Sequence, residues 1–164
     1  MGNNNQNDDI NLEKEAALAS IADLYTFVRN FWHVNNSDPY IDNWHIKKLC
    51  DELTIYGLAI AKREYIDNAI INIPPGMSKS TIVNHCFQVW AWLHNPSTVF
   101  LCSCNNSTLS KEHSVKAKNI FKSDRFQRWY QSYFKVKFGK EMFLTKDTEI
   151  DWINNFGGRR YNTY

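Results

Sequence analysis

Apolar residues in the first third of the chain recur at helical spacing. Leu18, Ile21, Leu24, Tyr25, Val28 and Phe31 share one stripe and predict a helix from Leu12 to about Trp32. Pro39 interrupts the pattern, and a second helix is expected from about Asn43 to Tyr56, stopped by Gly57. Ile70, Ile71 and Ile73 then form a β-branched run that predicts a strand over Ala69–Ile73. After a Pro74-Pro75-Gly76 turn, the stretch from Lys79 to about Leu93 is apolar nearly all round (Ile82, Val83, Phe87, Val89, Trp90, Leu93) and predicts a deeply buried helix, ended by Asn95-Pro96. A second buried strand is expected over Val99–Cys102, with helices over Thr108–Phe121 and Arg125–Tyr133. Short strands are expected within Met142–Thr145, Ile150–Ile153 and Arg160–Thr163, with Gly157-Gly158 as a turn. Strands alternating with helices predict an α/β fold, a parallel sheet with helices on its faces.

Composition narrows the class. The 164 residues suffice for one domain with a core, and 43% hydrophobic with 15% aromatic content excludes a disordered chain. No apolar run approaches the roughly 18–20 residues that cross a bilayer, and the Asn- and Asp-rich start lacks the basic-then-apolar pattern of a secretion signal. A cytoplasmic location follows as the expectation. Cys50, Cys86, Cys102 and Cys104 show no zinc-type spacing and read as free thiols. Asp147, Glu149 and Asp151 alternate at strand spacing, which suits either a metal site or, with more force, the wet face of an edge strand.

Candidate chemistry concentrates in Asn68 to Thr81. A short apolar strand feeds a tight turn, and Lys79-Ser80-Thr81 opens a helix, the layout of a nucleotide-phosphate loop. The turn would aim backbone N–H groups inward and the helix N-terminus would add positive potential, with Gly76, Met77, Ser78, Lys79, Ser80 and Thr81 around the phosphates. Lys79 would meet the β- and γ-phosphates and Ser80 would ligate Mg²⁺. Relative to G-x-x-x-x-G-K-[ST], Ile73 and Ser78 stand in the glycine positions. A plain strand-to-helix turn with a solvated Lys79 is the alternative.

Pro74-Pro75-Gly76-Met77-Ser78-Lys79-Ser80 resembles the deviant phosphate loop, P-P-x-x-G-K-S, of the large terminase subunit of tailed bacteriophages, the ATPase that packages DNA. Ser78 in place of glycine departs from it. Tyr40 to Ile46 with Leu49 and Asp51-Glu52-Leu53 resembles that family's adenine-side segment, which places Trp44 and His45 against the base. Core packing for Trp44 and a helix face for His45 remain open. Ser97 to Ser110 resembles the family's second strand with its Ser-rich turn. The resemblance makes Ser103 and Asn105 candidates for sensing nucleotide or coupling to DNA, beside an ordinary helix cap at Asn106 or Ser107. Phe156 to Tyr164 resembles the strand preceding the acidic Mg²⁺-binding motif. That motif and the nuclease domain are not in the sequence, and the catalytic residues are expected beyond Tyr164.

The resemblance implies a P-loop ATPase fold, incomplete at its C-terminal end, with an N-terminal helical extension. Within one domain, 1–11 is expected to be a flexible Asn-rich tail, 12–66 the N-terminal helices with the adenine-side segment, and 67–164 a partial ATPase core. It further implies ATP and Mg²⁺ as ligands, double-stranded DNA, a portal protein and a small terminase subunit as partners, and a homo-oligomeric ring in the full-length protein in the host cytoplasm. Arg159 and Arg160 are candidates for contact with nucleotide or a neighbouring subunit. A helicase-like P-loop motor and a non-catalytic docking domain are the alternatives, and the segment alone is expected to hydrolyse ATP poorly. Charge is uneven, with eleven acids and six bases in residues 1–70 but nine bases and two acids from Lys111 to Lys140. Trp129, Tyr130, Tyr133 and Phe134 lie among those bases. This basic, aromatic segment is either a nucleic-acid track or a solvated helix with its aromatics packed inward.

Overall fold

The computed structural model describes residues 3–164. Helix α1 (Asn3–Ala22) leads into α2 (Leu24–Phe31), a 3₁₀ turn (Trp32–Val34) and α3 (Trp44–Lys62). Helical backbone resumes at Lys79, widens into a π-helical turn over Thr81–Cys86 and continues as α4 (Phe87–His94). Strand β1 (Val99–Ser103), helices α5 (Ser107–Lys122) and α6 (Asp124–Phe138), and strands β2 (Leu144–Asp147), β3 (Asp151–Asn154) and β4 (Arg159–Thr163) complete the chain. Among the described residues no helix is long and apolar enough to cross a membrane.

The expected parallel sheet with flanking helices is not what forms. The protein is 58% helical with one small mixed sheet in the order β1-β4-β3-β2. Only β1 and β4 run parallel, with Val99 opposite Arg159 and Ser103 opposite Thr163, while β4, β3 and β2 form an antiparallel meander. The expected first strand, Ala69–Ile73, does not form: the segment joins no sheet, and Ile70 is 96% exposed. β-Branched residues favour extended backbone, but a ladder needs a partner strand whose N–H and C=O groups face it. Here Ile71 and Ile73 instead rest against the helical core.

Local signals explain most element limits. The single helix expected from Leu12 to Trp32 is broken because Asp23 adopts extended backbone and its carboxylate accepts from the Tyr25 and Thr26 N–H groups, capping α2. The expected tail, 1–11, lies partly outside the described residues, and from Asn3 its backbone belongs to α1. Asn106 caps α5 through the Leu109 N–H, Ser123 caps α6 through the Phe126 N–H, and Gly139 at φ +84° ends α6 in the left-handed region.

Gly57 does not stop α3, which runs five residues further to Lys62. Its role is close approach: a Cβ placed there would stand 2.5 Å from Cζ3 of Trp90. Trp90 is fully buried and its indole N–H donates to the Ser20 carbonyl at 2.9 Å. All of Phe87 to Leu93 is buried, so α4 is the axis around which α1, α2, α3 and α5 pack. An aromatic cluster of Phe27, Phe31, Phe126, Tyr130 and Phe134 fills the space between α2 and α6, and Trp92, Phe121 and Trp152 join α4 and α5 to the sheet.

Two buried histidines tie the helix after the turn to α5. His85 Nε2 and His113 Nδ1 lie 3.0 Å apart, so one ring donates and the other accepts. Burial holds both below the ordinary histidine value of 6.5, and for His85 the His113, Arg160 and Lys116 charges add to that depression. Glu112 opposes it at His113, where Arg160 and Lys116 depress it too.

Gly57→Ala is expected to lose about 1–3 kcal/mol through overpacking against Trp90, read as a lower urea midpoint at unchanged slope. The histidine pair makes stability pH-dependent. Both rings are neutral in the fold and take up protons more readily when unfolded. Stability is therefore full above pH 7 and falls as pH drops below 6.5, by up to about 1.4 kcal/mol per pH unit for each proton. Urea titrations at pH 7.5 and 5.0 check this, and His113→Asn is expected to flatten the difference.

Candidate functional site

The turn before the central helix has a specific backbone shape. Gly76 sits at φ +81° and Ser78 at φ +60°, while Met77 between them stays out of the left-handed region. Left-handed residues in such a turn are one way that successive N–H groups come to face one concavity. Ser78 is one of only two non-glycine residues at positive φ among the described residues, and it stands where the general phosphate-loop pattern has glycine. The Ile82 N–H donates to the Ser78 carbonyl at 3.0 Å, so the helix starts there and the N–H groups of Lys79, Ser80 and Thr81, all lining the recess, have no acceptor within the helix. Lys79 folds back across the loop, its ammonium 3.5 Å from the Ile73 carbonyl, and makes no ion pair among the described residues.

The recess has a volume of 390 Å³ and is lined by Pro74 to Thr81 together with Trp32 and Asn36. Lys79 is the only charged residue in that wall, and no Asp or Glu lines it. Backbone donors, one ammonium and the Ser78, Ser80 and Thr81 hydroxyls suit an anion with several oxygens. Mg²⁺ keeps most of its waters and takes few protein ligands, so the Ser80 hydroxyl together with phosphate oxygens fits it. Carboxylates that would complete a hydrolytic centre are not among the residues around the recess.

Trp44 and His45 begin α3 and line a second, apolar groove of 390 Å³ with Leu49, Tyr56, Ile70 and Ile71. Trp44 is 80% exposed, which excludes the core-packing alternative, and His45 Nε2 is buried without a hydrogen-bond partner. The groove reaches Ile73 and the loop recess begins at Pro74, so the two adjoin along the chain.

The other candidates are dispersed. Ser103 ends β1 and Asn105 follows it, both exposed, with Asn106 taking the capping role. Neither lines the loop recess. Arg159 is committed to Asp151 through two bonds of 2.7 and 2.8 Å, which hold the Asp151 carboxyl down at about 2. Arg160 points to the opposite face of β4, is 1% exposed, and donates to Asn162 Oδ1 and the Asn84 carbonyl. Neither arginine lines the recess.

In the basic segment Tyr130 and Phe134 are buried and Trp129 and Tyr133 pack against the core, as an inward-facing aromatic stripe requires. Five of its nine bases are ion-paired: Lys111 with Glu149, Lys116 with Glu112, Lys118 and Lys122 with Asp147, and Arg128 with Glu13. Asp147, Glu149 and Asp151 thus serve as counter-charges on a hairpin, and among the described residues no three ligating side chains form a metal site.

Trp32 and Asn36 were not legible as site residues. Trp32 follows the apolar stripe of α2 and reads as its end, and only the tertiary fold brings it to the loop. Neither models of known protein families, nor curated proteins, nor solved structures match the chain.

The left-handed backbone at Ser78 has a measurable consequence. Ser78→Gly is expected to stay within about 1 kcal/mol of the parent, since relief of strain offsets lost chain stiffness, whereas Ser78→Val loses about 1–2 kcal/mol in thermal or urea unfolding.

Proposed function

We propose that the chain binds Mg-ATP at the Pro74–Thr81 loop and is the N-terminal ATPase region of a viral DNA-packaging motor of the terminase large-subunit type. The observation that carries this reading is the Gly76/Ser78 turn delivering an ion-pair-free Lys79 to a helix start, in a recess without acidic residues. In it the loop N–H groups and Lys79 hold the β- and γ-phosphates, and the Ser80 hydroxyl meets Mg²⁺. The adenine lies toward Trp44 and His45, where the exposed Trp44 indole suits a purine face and His45 lines the same groove. In the full-length protein, hydrolysis would drive double-stranded DNA into a procapsid in the host cytoplasm, with a portal protein, a small terminase subunit and a homo-oligomeric ring as partners. This reading rests on the loop and its flanking segments, and the small mixed sheet lends it no support.

A second reading, a nucleotide-binding docking domain that does not hydrolyse, draws on the lack of carboxylates around the recess. Hydrolysis needs a group that orients water and a second anchor for the metal.

Equilibrium titration of the protein with Mg-ATP tests the shared core of both readings. Saturable binding is expected, weakened at least about tenfold by Lys79→Ala through loss of a charge-assisted contact. Equal affinity in both proteins, or none in either, would remove the phosphate-loop assignment. Phosphate release by the parent protein above the Lys79→Ala background would favour the ATPase over the docking domain.

A further inference from the structure

Trp32 and Asn36, which line the recess together with the loop, are themselves anchored in the fold. Trp32 follows Phe31, which is buried and stacked on Phe27 at 4.4 Å in the α2–α6 core. Its indole N–H donates to the Asp38 carbonyl at 3.0 Å, and its ring meets Tyr40 edge to face at 5.4 Å. Asn36 Nδ2 donates to the Trp32 carbonyl at 2.8 Å, which settles which way its amide points. That leaves Asn36 Oδ1 as an acceptor without a protein donor among the described residues.

The chemistry of this wall differs from that of the loop. An indole face and an amide oxygen both present negative potential and repel phosphate oxygens, while the second Nδ2 N–H of Asn36 stays available to a hydroxyl. Both suit an uncharged, hydroxylated group: the ring packs on sugar carbons and the amide oxygen accepts from a hydroxyl. With the phosphates drawn to the loop, the ligand portion facing Trp32 and Asn36 is the sugar.

We infer that Trp32 and Asn36 are the sugar-facing wall of the nucleotide site, the indole packing on the ribose and Asn36 Oδ1 accepting from a ribose hydroxyl. This rests on the phosphate-loop reading. It makes the site selective for a ribonucleoside triphosphate over a bare polyphosphate, and for the ribose over one of its deoxy forms.

Titrations with ATP, 2′-deoxy-ATP, 3′-deoxy-ATP and inorganic tripolyphosphate, each with Mg²⁺, test the wall separately from the loop. Trp32→Leu is expected to weaken ATP about tenfold and leave tripolyphosphate within about twofold, which also shows that the variant is folded. The parent protein is expected to prefer ATP to one deoxy analogue by about five- to tenfold, and Asn36→Ala to abolish that preference. Either variant lowering ATP and tripolyphosphate alike, or leaving ATP and the analogues unchanged, overturns the sugar wall while Lys79→Ala still weakens both ligands. Indifference of both ligands to Lys79→Ala removes the loop reading itself, and the wall with it.

Discussion

The ring of Trp90 rests where Gly57 has no side chain, and that contact sets how closely α3 approaches α4. Because α4 is buried on every side, each neighbouring helix is placed by contact with it. The loop leads into this axis, so its two left-handed residues lie at the head of the central helical segment. Between loop and axis lies the π-helical turn, where the Phe87 N–H reaches back to the Ile82 carbonyl. Such turns leave carbonyls with altered partners, and here Arg160 donates to that of Asn84 while His85 pairs with His113. Part of the buried polar set thus gathers around the π-helical segment of the central helix.

Electrostatics follow the same division between inside and outside. Arg159 and Arg160 are adjacent on β4 and therefore face opposite ways. One meets Asp151 at the surface, and the other is buried without a carboxylate, held by an amide, a carbonyl and the Trp152 ring at 6.0 Å. Four of the bases in α5 and α6 are met by acids of the β2–β3 hairpin and of α1. Five of the nine bases from Lys111 to Lys140 are thus in local ion pairs, each of modest strength at an exposed surface, while Arg125, Lys135, Lys137 and Lys140 pair with no carboxylate among the described residues.

Caps, the breadth of the apolar helix and the turn residues were legible because their causes are local. Asn106, one of the two residues expected to cap, does so through its own side chain, and apolar residues on every face of Phe87–Leu93 admit only burial. The expected parallel sheet failed for the opposite reason. Ile70, Ile71 and Ile73 express a preference for extended backbone, but whether a strand forms depends on a partner elsewhere, and the strand after β1 in space is β4. Gly57 misled in the same way, since a helix stop and a close contact demand the same residue and only the neighbour distinguishes them.

For the candidate site, sequence by itself determined the order Pro-Pro-Gly, Lys, Ser before an apolar helix, because the turn and the helix start are set by residues within a few positions of one another. It also placed Trp44 and His45 at the head of a helix. Only the tertiary structure decided that Ser78 takes the left-handed backbone, that Lys79 is left without a carboxylate, and that Trp32 and Asn36 close the recess. Those depend on contacts between segments about forty residues apart, and no local preference of the chain encodes which distant side chain arrives beside a loop.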